Sequence, residues 1–182
     1  MAEYAAFLRG VNVGKAHRVG SAELRACFEE LGLRNVATFR TSGNVVFDAA
    51  GEAVDELGAR IEAGLEAALG YEVAVFLRTA DELLAIAGRE PFRSAQVDGS
   101  KGKLQVALLV GKPTAAARKS VLALATEDDA LAFGDRELYW LPSGGTQESE
   151  LDLKAIGKLL GLTTMRTKGT IDQMAAKYFA GG

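Results

Sequence analysis

The sequence predicts an α+β fold built from two β-α-β-β-α-β units, each with an antiparallel sheet covered by helices. Short apolar runs rich in β-branched and aromatic residues alternate with longer segments whose apolar residues recur at helical spacing. In the first half these segments follow the ferredoxin-like order, and the same order begins again at residue 103. The alternative fold is one continuous mixed sheet with helices on one face, which would use the same elements.

The first unit is predicted over residues 1–78. Its first strand, Glu3 to Leu8, is short, apolar and ended by Gly10, as is typical of a buried strand. Ser21 is the expected N-cap of the helix that follows, which Gly32 closes. The remaining elements are a hairpin of strands Asn35 to Arg40 and Asn44 to Phe47, a helix from Val54 to Gly70, and a strand from Tyr71 to Leu77.

Residues 79–102 are predicted to be a connecting helix and linker. Thr79 and Glu82 have the spacing of a capping box, and the polar stretch Arg93 to Gly102 follows as a loop. The second unit is predicted over residues 103–182 and ends in a C-terminal helix. Its elements are a strand Leu104 to Val110, a helix Thr114 to Ala125, a hairpin of Ala130 to Phe133 and Glu137 to Leu141, a helix Leu151 to Leu160, and a strand Thr163 to Thr167.

Charge and composition exclude several classes of protein. The chain has 21 basic and 24 acidic residues, so no global positive field exists to hold a polyanion. No apolar run approaches the roughly 18 residues that a membrane span requires, and Glu3 lies where a secretory signal would be basic. The single cysteine, Cys27, lies at helical spacing among apolar residues and is predicted to pack in the core. We therefore expect a cytoplasmic protein.

Two glycine-containing turns are the candidate site. Arg9 to Lys15 directly follows the first strand, and Thr41 to Asn44 joins the two strands of the hairpin. With right-handed crossovers the first strand runs up and the hairpin closes at the same edge. The two turns, together with the junction at Gly70 and Tyr71, should therefore converge.

Residue types in these turns favour a small anionic or phosphate-bearing ligand. Glycines permit close backbone approach, cations supply charge, and amides and hydroxyls supply directional hydrogen bonds. The predicted ligand-binding residues are Arg9, Gly10, Asn12, Gly14, Lys15, Arg40, Ser42, Gly43 and Asn44. The spacing matches neither a Rossmann nor a Walker nucleotide motif. The alternative is that these residues only form turns, with Asn12 and Asn44 bonded to their own backbone.

A second candidate anion contact lies in the other half of the chain. Arg166, Lys168 and Thr170 lead from a predicted strand directly into a helix. Free N–H groups and the positive end of the helix dipole favour an anion at such a junction. By the topology argument, Ser143 to Glu150 should lie at the same edge as Thr167 to Thr170.

An enzyme that uses the same pocket is the second functional hypothesis. His17 is the only histidine and follows the first turn, so it could act as an acid or base. A histidine between Ala16 and Arg18 is more often a solvated loop residue. No cofactor or metal is expected, because no His, Cys and carboxylate spacing resembles a zinc or iron site. The type of reaction stays open.

Single-stranded nucleic-acid binding is the third hypothesis, because RNA-recognition modules share this topology. Those modules stack bases on exposed aromatic residues of their central strands. Tyr4, Phe7 and Phe47 occupy the corresponding strands, but they fit core positions equally well and no basic-aromatic run accompanies them. Nucleic acid is therefore not an expected partner. A monomer or a weak homodimer is expected, with Tyr139 and Trp140 covering an interface or packing under a helix.

The N-terminal motifs resemble the DUF1697 family of uncharacterised bacterial proteins. The resemblance is specific at Tyr4 to Gly14 and at Thr41 to Phe47, and it extends through Leu24-Arg25 and Leu31-Gly32. It is looser near the C-terminus, where Ser149-Glu150-Leu151 replaces the family's frequent Ser-Lys-Leu and Arg166-Thr167-Lys168 replaces Arg-Asn-Trp. The resemblance implies a pair of ferredoxin-like units and implies no settled activity.

Overall fold

The computed structural model describes residues 1–181, which form eight strands and seven helices. The chain divides into two compact units. Unit 1 comprises Met1–Leu84 and the last residues from Met174 onward, and unit 2 comprises Ala85–Gln173. Two separate four-stranded antiparallel sheets are present, so the duplicated α+β fold is confirmed and the single continuous sheet is wrong.

Unit 1 has the predicted β-α-β-β-α-β order. Its strands lie in the order β2-β3-β1-β4, with every neighbouring pair antiparallel. A connecting helix, α3, follows β4 directly. The elements are β1 Ala2–Arg9, α1 Ser21–Glu30, β2 Arg34–Thr38, β3 Asn44–Ala49, α2 Val54–Leu69, β4 Ala74–Thr79 and α3 Ala80–Gly88.

The core of unit 1 forms between this sheet and the helices α1 and α2. Alternating side chains of β1, including Tyr4 and Leu8, contribute to one apolar cluster with Phe28 of α1 and Ile61 of α2. Phe28 and Ile61 are completely buried. The helical spacing in the sequence therefore identified the buried faces of both helices.

The helix ends agree with the sequence in two places and differ in one. Gly70 ends α2 in the left-handed conformation with φ 80°, and Thr79 and Glu82 form the predicted capping box at the start of α3. The predicted N-cap Ser21 is wrong, because the cap of α1 is Gly20. The Gly20 carbonyl already accepts the first helical hydrogen bond, from Leu24 N at 2.9 Å, so Ser21 is the first helical residue.

Unit 2 repeats the arrangement, with its strands in the equivalent order β6-β7-β5-β8. The predicted loop Arg93 to Gly102 is partly wrong because it contains a short helix, α4, whose six residues are too few to show an apolar period. The remaining elements follow in chain order. Those from α4 onward are α4 Ser94–Gly99, β5 Gln105–Leu109, α5 Ala115–Leu122, β6 Asp129–Phe133, β7 Glu137–Pro142, α6 Leu153–Leu160, β8 Thr163–Thr167 and α7 Lys168–Tyr178.

The two units share a local motif at the end of their last strands. Arg78-Thr79 ends β4 and Arg166-Thr167 ends β8, and a helix begins at the next residue in both cases. Each arginine donates from Nη1 to the carbonyl of the preceding residue, at 2.7 Å from Arg78 and 2.9 Å from Arg166. Each threonine hydroxyl accepts an N–H bond of 3.2 Å from the residue three positions on. The duplication therefore extends to side-chain geometry.

Candidate functional site

The two glycine-containing turns of unit 1 meet, as the topology predicted. The Asn12 Nδ2 atom donates to the Thr41 carbonyl at 2.6 Å, which joins the β1–α1 loop to the β2–β3 turn. The backbone adds a second link, from Leu8 N to the Gly43 carbonyl at 2.8 Å. His17 and Tyr71 also contact each other, so the α2–β4 junction lies at the same edge.

The β1–α1 loop is folded back on itself around Asn12. This residue has a left-handed backbone with φ 55°, and its N–H donates to the His17 carbonyl at 2.6 Å. An isolated β-bridge pairs Val13 with His17. The Asn12 Oδ1 atom accepts from Val19 N at 3.0 Å. Both ends of the Asn12 amide are therefore used to hold two loops together.

The β2–β3 turn is organised around Asn44, which is fully buried. Its Nδ2 atom donates to the Phe39 carbonyl and to Ser42 Oγ, both at 2.9 Å. Gly43 has φ 77°, and a Cβ atom there would lie 2.6 Å from Val11 Cγ2. A side chain at this position would collide with the neighbouring loop. Asn44 and Gly43 therefore shape the turn, as the turn-forming alternative expects.

A cleft of about 490 Å³ opens between the two loops and the start of α1. It includes Arg40, Asn12 and Gly43 from the predicted set. It also includes Arg18 and the first residues of α1, which the sequence analysis did not assign to the site. The residues that line the cleft are Asn12, Arg18, Val19, Gly20, Ser21, Leu24, Thr38, Arg40, Thr41 and Gly43.

The electrostatic character of the cleft comes from two arginines and a helix start. Arg18 and Arg40 are both exposed, and the Arg40 guanidinium lies 5.4 Å from the centre of the Phe39 ring. The N-cap Gly20 has no side chain to accept from the first-turn N–H groups of α1. Glu23, an acidic residue in that first turn, is not among the cleft residues. Two arginines and the start of α1 thus line one cleft.

The other predicted residues of unit 1 lie outside the cleft lining. Arg9 is at the end of β1, opposite Ala74 of β4, and Lys15 is at the exposed tip of the loop. Gly10 has φ 101°, and a Cβ there would lie 3.2 Å from the Glu72 carbonyl. The residues of the predicted set that do not line the cleft are Arg9, Gly10, Gly14, Lys15, Ser42 and Asn44.

The residues of the second predicted anion contact bond to other groups of unit 2. Arg166 is only 9% exposed and donates to Thr164 Oγ1 at 2.8 Å. Burial lowers its pKa to about 10. Lys168 Nζ donates to the Ala87 carbonyl at 2.6 Å and pairs with Asp172 at 2.7 Å. Thr170 is also buried, and its Oγ1 atom lies within hydrogen-bond distance, 2.9 Å, of Thr167 Oγ1. These side chains hold the β8–α7 junction.

A second cleft, of about 510 Å³, lies in unit 2 and is acidic. Its buried carboxylate, Asp129, accepts from Trp140 Nε1 at 2.8 Å, Ser149 Oγ at 2.7 Å and Thr126 Oγ1 at 2.8 Å. Burial raises the pKa of this carboxyl group, but the three hydrogen bonds outweigh burial and hold the pKa below its usual range. No group of three His, Cys, Asp or Glu side chains within residues 1–181 is arranged to hold a metal ion. Asp129 is thus a satisfied structural carboxylate.

The aromatic residues on the two central strands of unit 1 are buried. Tyr4, Phe7 and Phe47 are 5%, 0% and 2% exposed. Trp140 belongs to the apolar core of unit 2 together with Ile156 of α6, so it packs under a helix. No helix in the part of the chain described, residues 1–181, is long and apolar enough to cross a bilayer.

Comparison with known proteins places these features in a family. A solved structure, that of a conserved bacterial protein from Streptococcus pneumoniae, superposes with a TM-score of 0.76 at 23% identity and covers 97% of each chain. At this identity the likeness shows the fold alone. A search of curated proteins gave no match. The family described as "Protein of unknown function (DUF1697)" matches residues 1–139, which contain both turns and the whole cleft. The chain therefore belongs to the DUF1697 family.

Proposed function

We propose that the protein binds a small anionic, phosphate-bearing ligand in the cleft of unit 1, in the cytoplasm. The observation that carries this proposal is that Arg18 and Arg40, from two different loops, line the same cleft as the N-terminus of α1. The two arginines are not neighbours in the sequence. Only the convergence of the two loops brings their charges together.

The chemistry of the cleft suits an oxyanion. Guanidinium groups form charge-assisted hydrogen bonds with phosphate and carboxylate oxygens, and often do so with two N–H groups at once. The first-turn N–H groups of a ten-residue helix add donors and the positive end of the helix dipole. Ser21 contributes a hydroxyl at the same place. A phosphate group seated on the α1 start would therefore contact donors from two sides.

Asn12 has an indirect role in this proposal. Its amide is bonded to Thr41 and Val19, so it sets the distance between the loop that carries Arg18 and the turn that carries Arg40. In this proposal Arg18, Arg40 and the start of α1 contact the ligand directly. Arg9 and Lys15, which the sequence favoured, do not line the cleft and are not assigned ligand contacts.

The proposal is tested by titrating the protein with inorganic phosphate and following backbone amides by two-dimensional NMR. Amides of residues 18–23 and 40–43 should shift, and matched additions of potassium chloride should not reproduce the shifts. Arg18→Gln and Arg40→Gln should each weaken binding about tenfold, the loss expected for one charge-assisted contact. Lys15→Gln removes the same charge from the same loop outside the cleft and should leave affinity unchanged.

Three results would overturn the proposal. The first is the absence of any phosphate-specific shift in the wild-type protein. The second is a saturable phosphate response that is equally strong in Arg18→Gln and Arg40→Gln, because the ligand would then lie elsewhere. Equal losses in Lys15→Gln and the two cleft variants would indicate nonspecific attraction to positive charge and would also contradict the cleft.

A further inference from the structure

A stacked pair of rings ties the cleft loop to the α2–β4 junction. The His17 and Tyr71 rings lie 4.0 Å apart between centroids, with an interplanar angle of 6°. The Tyr71 hydroxyl also donates to the His17 carbonyl, at 3.4 Å. Tyr71 directly follows Gly70, whose left-handed conformation ends α2. The ring therefore projects from a well-defined turn next to the sheet.

The loop that receives this contact has few other anchors. Val11 and Val19, at its two ends, are buried, with 6% and 7% exposure. Between them, every residue except the half-buried His17 is exposed. Apart from the hydrogen bonds of Asn12, the contact with Tyr71 is the main tertiary contact of this segment. The residue after His17 is Arg18, which lines the cleft.

We propose that Tyr71 and His17 are positioning residues for the cleft: their stacking holds residues 12–18 in the conformation that presents Arg18 to the ligand. The inference rests on the proposed function of the cleft. It assigns Tyr71, which does not line the cleft, an effect on ligand affinity. In this inference His17, the only histidine of the chain, affects ligand affinity through its contact with Tyr71. It does not act as an acid or base.

The physical argument is one of populations. The loop contains left-handed residues at Gly10, Asn12 and Gly14, and glycine gives the unfolded loop many alternative conformations. Contact between the faces of the two rings removes apolar surface from water and so favours one of those conformations. If the stack is lost, only a fraction of molecules keep Arg18 at the cleft, and the apparent affinity falls by that fraction.

The experiment compares variants that keep or remove the stack. Tyr71→Phe and His17→Phe retain two aromatic rings, whereas Tyr71→Leu and His17→Leu retain apolar bulk without the pair. Since His17 is the only histidine, its ring proton signals identify themselves in the NMR spectrum. Those signals should be shifted upfield by the Tyr71 ring in the wild type and in Tyr71→Phe, and should move toward ordinary values in Tyr71→Leu.

Inorganic phosphate is the probe for the functional consequence. Tyr71→Leu and His17→Leu should bind phosphate about tenfold more weakly, as expected if the competent loop population falls to about a tenth. Tyr71→Phe and His17→Phe should bind within about twofold of wild type. The inference is overturned if the leucine variants fold, lose the ring contact and bind phosphate with wild-type affinity. It is equally overturned if the phenylalanine variants lose affinity as strongly as the leucine variants.

A second readout separates this inference from the proposed function. Amide hydrogen exchange of residues 12–18 needs no ligand, and it should accelerate in the two leucine variants while exchange in β1 and α2 stays unchanged. If the wild type does not bind phosphate, the proposed function and the affinity effect fail together, but faster loop exchange still establishes the stack as the restraint on the loop. Unchanged exchange in both leucine variants would refute the restraint itself.

Discussion

At the scale of single residues, the polar side chains of the two turns hold the backbone of those turns in place by hydrogen bonds. Asn12 bonds to Thr41 and Val19, and Asn44 bonds to Phe39 and Ser42, so each amide stabilises a turn. In unit 2, Asp129 instead accepts hydrogen bonds from three side chains at a buried position. Buried polar groups of this kind are costly to leave without their partners.

Replacing Asp129 by alanine should lower the stability of unit 2 by about 1 to 3 kcal/mol, because the buried indole N–H of Trp140 loses its acceptor. The measurement is a urea titration followed by the fluorescence of Trp140, the only tryptophan in the chain. Asp128→Ala, which removes a neighbouring exposed carboxylate of the same cleft, is the matched control and should change stability by less than about 0.5 kcal/mol. Equal effects of the two substitutions would show that the buried network is not the cause.

The same carboxylate predicts a pH dependence. The pKa of Asp129 in the folded protein lies below its ordinary value of 3.8, so the folded state favours the ionised form more than the unfolded state does. Its contribution is therefore complete above the unfolded pKa and is lost as pH falls through the folded pKa. The stability difference between wild type and Asp129→Ala should shrink in acid. A difference that grows below pH 4 would contradict the direction of the shift.

At the scale of elements, the helices of unit 1 are held by apolar faces that pack on the sheet. Phe28 of α1 also contacts Phe47 of β3, with ring centroids 5.4 Å apart. In α2, Gly64 leaves space for the Leu31 side chain, since a Cβ atom at that glycine would lie 2.6 Å from Leu31 Cδ2. The two helices therefore pack closely. This packing positions α1, whose first residues line one wall of the cleft.

Phe28→Ala and Ile61→Ala should each destabilise the protein by about 2 to 5 kcal/mol, because each removes a fully buried side chain and leaves a cavity. Denaturant titrations followed by circular dichroism measure the loss. Glu30→Ala, at an exposed position of α1, is the control and should stay within about 0.5 kcal/mol of wild type. A loss below about 0.5 kcal/mol in Phe28→Ala would mean that this face is not the one that packs.

At the scale of the whole molecule, charge and aromatic burial bear on the choice of partner. The net charge is −3, and the aromatic side chains of the central strands of unit 1 are covered. A surface that binds single-stranded nucleic acid combines a basic groove with exposed aromatic residues. If the protein bound single-stranded nucleic acid, a surface other than these central strands would have to supply the basic groove and the exposed aromatic residues. A local anion site is compatible with this charge, because two arginines act over a short range.

We expect no retardation of a short single-stranded RNA at protein concentrations up to about 10 µM in about 0.15 M salt, conditions that detect the tighter nonspecific binders, with Kd of about 1 to 10 µM. A gel retardation series at increasing salt measures this. Arg18→Gln serves as a control for any weak band, since it removes a cation from the cleft. Salt-sensitive retardation at lower protein concentrations would revive the nucleic-acid alternative and contradict the prediction.

The sequence by itself determined the β-α-β-β-α-β order of each unit, the duplication and the edge at which the two turns meet. These features follow from local properties: the period of apolar residues distinguishes helix from strand, and the handedness of crossovers sets the edge of each turn. The helix α4 was missed because its six residues contain only Ala95 and Val97 as apolar side chains, too few to show a helical period. The shared Arg-Thr motif at the ends of β4 and β8 was overlooked, because two residues mean little until the sheet register aligns them.

Only the tertiary structure decided which residues line the cleft. Arg9, Lys15 and Arg18 lie in or beside one loop and look equivalent in sequence, but the fold of that loop places only Arg18 at the cleft. Arg166 looked like an anion contact, whereas the packing of unit 2 buries it. The physical reason is that side-chain direction in a loop depends on left-handed backbone positions and on contacts distant in sequence. The bond from Asn12 to Thr41 and the stack of His17 on Tyr71 span 29 and 54 residues.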